Sequence, residues 1–73
     1  MARLSPGEQG IIRAVHAEER LQRRLAALGI KTGRPVQVLR RARFGGPMHL
    51  RIGSTEVMLR PREAERIDVI RHP

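Results

Sequence analysis

No cysteine occurs in the 73 residues, so neither a disulfide nor a thiolate metal site can steady so short a chain. Aromatic residues are nearly missing too: one phenylalanine, no tyrosine and no tryptophan. That shortage weighs against a base-stacking platform for single strands and against an aromatic-lined groove for proline-rich peptides. No apolar run approaches the roughly 20 residues that cross a bilayer, and "MARLSPGEQG" contains no signal-peptide apolar region. These absences imply a cytoplasmic protein. Acidic residues are scarce, seven against fifteen basic, which leaves a formal charge of +8 and an isoelectric point near 11.9.

An excess of that size suits an anionic partner: nucleic acid, a membrane surface or an acidic protein face. It also suits a plain compositional bias, because all the basic residues but Lys31 are arginine and none forms a block of five. Size constrains the rest. Ordering each residue costs about 1.5 kcal/mol, so residues 1–73 form one small domain in which nearly every apolar side chain must be buried.

Along the chain, "LSPGEQG" (4–10) is turn chemistry, with Gly10 as its second bracket. "IIRAV" then reads as a strand from Ile11 to His16. Its inward face is ambiguous: Ile11 and Val15 fit strict alternation, whereas Ile12 and Val15 both point inward only if a bulge intervenes. "AEERLQRRLAAL" is the helical segment, with Leu21, Leu25 and Leu28 at i, i+4, i+7 as its buried stripe. Arg24 is expected to be solvated. Gly29 is placed to be the left-handed residue that ends the helix, with Ile30 folding back toward Leu25. Gly33 supplies a second turn before Pro35 opens a strand.

From there the apolar period is two. Val36 and Val38, then Leu50 and Ile52, then Val57 and Leu59 should face inward. Gly53-Ser54 is a two-residue hairpin connection, "RFGGPM" a longer loop, "PREAER" one helical turn, and Ile67 to Ile70 a last strand. About five short strands with one inserted helix make a mainly β fold, a small bent barrel whose closure would remove free edges.

Catalytic chemistry is not visible. His16, His49 and His72 have no metal-ligand spacing, the carboxylates form no inward-facing pair, and every glycine can be assigned to a turn. No enzyme, no cofactor and no small-molecule substrate is expected. Arg40, Arg41 and Arg43 with Arg23-Arg24 could track phosphates, but with a single aromatic residue this is the weaker reading. Phe44 and Met58 fall at loop or outward-facing positions, with Met48 beside the same loop. They either cover an open end of a thin core or form a small apolar docking patch ringed by arginine. The candidate partner contacts are Arg40, Arg41, Phe44 and Met58.

Four segments in register carry a resemblance: "LSPGEQGII", "RRLAALGIKTGRPVQV", "GGPMHLRIG" and "VMLRPREAERIDV". The order resembles that of the FeoA family, small cytosolic proteins of bacterial ferrous iron uptake, from about Leu4 to Val69. Its loop departs from the common pattern, with Arg43 and Phe44 where proline and a smaller aliphatic residue are usual. The resemblance implies an SH3-like β-barrel with an inserted helix. It implies as partner the membrane ferrous iron transporter with a cytosolic GTPase domain, usually called FeoB, and so an accessory role in transition-metal uptake. No catalytic or metal-binding residue carries over. The alternative is a basic nucleic-acid-binding barrel, or a regulatory domain like the C-terminal domain of metal-dependent repressors. Without a helix-turn-helix or a metal-ligand set, this chain could not be such a repressor alone.

Overall fold

The computed structural model describes residues 4–42 and 45–71. The chain runs β1 (Gln9–Val15), α1 (Glu19–Ala27), β2 (Pro35–Arg41), β3 (Met48–Ile52), β4 (Thr55–Leu59), α2 (Pro61–Ala64) and β5 (Ile67–Arg71). The strands form one antiparallel sheet in the order β4-β3-β2-β1-β5. Ile12, Val36, Val38, Leu50, Ile52, Val57, Leu59 and Ile67 line its inner face, with Leu25 and Ile30 packed among them. The architecture is mainly β, as the period-two pattern leads one to expect, and SH3-like, as the family resemblance implies. At the seam, however, β4 and β5 share no ladder. The bent sheet is bridged there by α2, which packs on β4 and buries Ala64.

The glycine corner after α1 forms as its spacing demands. Glu18 caps the first turn by accepting from the Leu21 amide at 3.0 Å. Leu28 is the C-cap, and Gly29 follows at φ 95°. Its amide reaches the Ala26 carbonyl at 2.9 Å and the Ile30 amide reaches that of Leu25 at 3.0 Å. This pair of bonds satisfies two carbonyls the helix cannot, and it drops Ile30 into the core beside Leu25. The leucine stripe is shorter than the spacing suggested. Leu25 is fully buried and Leu21 packs against the core, but Leu28 is 37% exposed because the corner has already turned it out. Arg24 is not simply solvated either: its guanidinium reaches over to the Glu63 carboxylate of α2.

Both long strands carry a bulge. In β1 the pairing with β5 slips between Ile12 and Ala14, making Arg13 the extra residue. The slip lets Ile12 be buried while Val15 also turns toward the core, so the bulged alternative is the one adopted. In β2 the pairing with β3 slips between Val38 and Arg40, with Leu39 as the extra residue. Here residues 7 and 8 lie alongside: the Gly7 amide donates to the Val38 carbonyl at 2.7 Å, and the Val38 amide to that of Glu8 at 3.0 Å.

Gly10 is not a turn residue. It sits inside β1, opposite both Val36 of β2 and Arg71 of β5. A Cβ there would stand 2.3 Å from Cγ1 of Val69 and 2.8 Å from the Ile70 carbonyl oxygen. Its hydrogen lets β5 lie close.

Two substitutions test these glycines. Gly29→Val should lower stability by about 1–2 kcal/mol, since a β-branched residue resists the left-handed conformation, read as a lower denaturant midpoint. Gly10→Ala should cost about 1–3 kcal/mol by overpacking against β5. Hydrogen exchange should accelerate first at the amides of residues 67–71.

Candidate functional site

Across the outer face of β2, β3 and β4 the ladder lines up two rows. Arg40 pairs with His49 and His49 with Met58; Gln37 pairs with Arg51 and Arg51 with Glu56. Side chains on facing residues of one row share a side of the sheet. This places Arg40, His49 and Met58 together, with Met58 63% exposed. It is the most exposed large apolar side chain among the described residues. Glu56 ties the rows together: His49 Nε2 lies 2.9 Å from Oε1 and an Arg51 amine 3.3 Å from Oε2. The result is a methionine at the edge strand beside a paired His–Glu–Arg group and an exposed arginine.

The bulge at Leu39 decides which arginine joins this face. Strict alternation from Val36 and Val38 would turn Arg40 inward and Arg41 outward. With the extra residue, Arg40 comes opposite His49 on the outside, and Arg41 comes opposite buried Met48. Arg41 instead donates from Nε to the Leu4 carbonyl at 2.8 Å, and it borders a shallow hollow with Pro61 and Ala64 of α2. Of the four residues singled out in the sequence, the fold brings together Arg40 and Met58. Arg41 lies on the other side of the sheet, and Phe44 lies outside the described residues. Met48 is 3% exposed, part of the core rather than a loop cover.

His49, Arg51 and Glu56 belong to the face but carried no sequence signal. They are ordinary outward residues until the register sets them side by side. Elsewhere, Arg13 donates from Nε to Asp68 Oδ2 at 2.9 Å. That hydrogen bond is the main cause holding the Asp68 carboxyl below its usual range, against a smaller opposing effect of desolvation. Among the described residues no group of three histidine or acidic side chains could hold a metal ion, and no helix is long and apolar enough to cross a membrane.

A family model described as the FeoA domain matches residues 1–71. This chain belongs to the FeoA family, which is linked to ferrous iron transport. The fold agrees closely with a crystal structure of an iron uptake regulatory protein, FeoA. The TM-score is 0.90 over 97% of this chain and 93% of that one, and at 22% identity this likeness speaks for the fold alone. FeoA of Stenotrophomonas maltophilia, solved with zinc, is 30% identical with a TM-score of 0.77, covering 92% of this chain and 84% of its own. It is described as a prokaryotic SH3 domain protein and a candidate activating factor of ferrous iron transport. A manganese-dependent transcriptional repressor is 27% identical with a TM-score of 0.86 over 96% of this chain, which spans 39% of that protein. A search of the curated proteins found no match.

Exposure separates the two methionines. Met58→Ser should change stability by less than about 0.5 kcal/mol, whereas Met48→Ala should cost about 2–5 kcal/mol. Parallel urea titrations of the two variants check the assignment of one to the surface and the other to the core.

Proposed function

We propose that this FeoA-family chain is a non-enzymatic cytosolic accessory protein that docks on the cytosolic GTPase part of a membrane ferrous iron transporter and modulates it. Membership of the family supports the setting. The single observation that supports the docking face is Met58, 63% exposed on an edge strand with Arg40, His49 and Arg51 around it. An exposed methionine adapts to an apolar pocket, and arginine is favoured at interfaces. The surplus of positive charge would steer the chain toward an acidic partner face and speed the encounter.

The nucleic-acid reading makes a different demand. Phosphate contacts lose affinity steeply and indifferently to sequence as salt rises, so binding that fails on duplex and single strand at ~150 mM salt removes it.

A titration of the transporter's cytosolic domain with labelled protein tests the docking reading. Arg40→Glu combined with Met58→Glu should weaken binding at least about tenfold, of the order of 1.4 kcal/mol, with circular dichroism unchanged. Absence of binding by the folded wild-type chain at low salt overturns it.

A further inference from the structure

Away from the outer face of β2, β3 and β4, the two helices enclose a second feature. The start of α1 and the turn of α2 flank an open groove of about 270 Å³. Arg20 and Arg24 reach it from α1, Arg60 from the N-cap of α2 and Arg62 from α2 itself, with Leu21 also in its lining. Two carboxylates also border it, and both are committed. Glu18 accepts from the Leu21 amide, and Glu63 accepts from the Arg60 amide at 3.0 Å while holding the Arg24 guanidinium. Arg20, Arg60 and Arg62 are exposed and make no ion pair among the described residues. Three arginine forks therefore border one concavity outside ion-pair distance of any described carboxylate, and with four arginines against two glutamates the lining keeps a surplus of positive charge.

We propose that this groove receives an acidic segment of a partner protein, with carboxylates on Arg20, Arg60 and Arg62 and one apolar side chain over Leu21. Charge complementarity sets the sign of the occupant. Its class follows from the lining. Leu21 is half-buried and packed on the core, which offers a floor for an aliphatic group rather than for a sugar–phosphate. Glu18 and Glu63 interrupt the basic surface, so no unbroken track exists for successive phosphates. Among the described residues no aromatic side chain borders the groove to stack a base. Guanidinium forks match carboxylates two bonds at a time, which gives orientation as well as attraction. The Arg24–Glu63 pair spans from α1 to α2 along the groove.

This inference does not rest on the transporter reading, and its test contains no transporter domain. The probe is a synthetic peptide of about a dozen residues, Asp- and Glu-rich with one central leucine, long enough to cross a groove bounded by two helix ends. The binding is followed by amide chemical shifts at low salt. The expected result is saturable shifts confined to residues 18–24 and 60–63, weakened at least about tenfold by Arg20→Glu with Arg62→Glu. An Asn/Gln version of the peptide should not bind. The apolar contact is tested from the peptide's side, because a polar residue at half-buried Leu21 would disturb the core as well. Changing the peptide's leucine to serine should weaken binding without touching the protein. Shifts mapping to Arg40, His49 and Met58, unchanged affinity in the double variant, or no binding at low salt each overturn the proposal. Competition by inorganic phosphate or a single-stranded oligonucleotide as strong as the peptide's own binding overturns it in favour of a phosphate ligand.

Discussion

The backbone bonds that end α1 hold this small fold together. With Gly29 left-handed, the Gly29 and Ile30 amides close on Ala26 and Leu25, and the chain reverses within two residues. Leu25 and Ile30 then enter the same core from opposite arms of the corner. A side chain at Gly29 would strain the reversal, although there is room for one: a Cβ there would lie 3.4 Å from Ile52 Cγ2, close to ordinary contact distance. The constraint is conformational rather than steric. Without the corner α1 would have no route by which to bring Leu25 and Ile30 onto the inner face of the sheet, and a chain this short has little other cover to offer beyond Leu4 and Ala64.

Two bulges then turn a simple alternation into a surface. The one at Arg13 lets Ile12 and Val15 both serve the core and leaves Arg13 to pair with Asp68 across to β5. The one at Leu39 exchanges the roles of two neighbouring arginines. Arg40 goes to the outer face beside His49 and Met58, and Arg41 goes to the Leu4 carbonyl. Each extra residue bends its strand and raises the local twist, so the devices that curl the sheet also compose its outer face.

The positive charge is unevenly used. Arg13, Arg24 and Arg51 are tied to Asp68, Glu63 and Glu56. Exposed pairs of this kind contribute little to stability; the backbone ladders with β1 and β3 place β5 and β4. Arg20, Arg60 and Arg62 of the α1–α2 groove, and Arg40 on the sheet, remain directed at solvent, on surfaces of different composition. One presents a methionine on a sheet, the other an aliphatic floor between helices.

Periodicity alone was enough for the order of elements, the helix end at Gly29, the inward set from Val36 to Leu59 and the hairpin at Gly53-Ser54, because each depends on residues close in the chain. Resemblance added the family from four short segments in register. What local pattern could not decide was which neighbour each strand would meet. The place of Gly10 depends on β5, at the far end of the chain, through the Gly10–Arg71 pairing, and the partner of Arg24 depends on α2. The choice between Arg40 and Arg41 depends on a single inserted residue in a ladder. Register and bulges arise from packing between distant segments, and a shift of one residue reverses the face of every side chain beyond it. Only the folded sheet settles that.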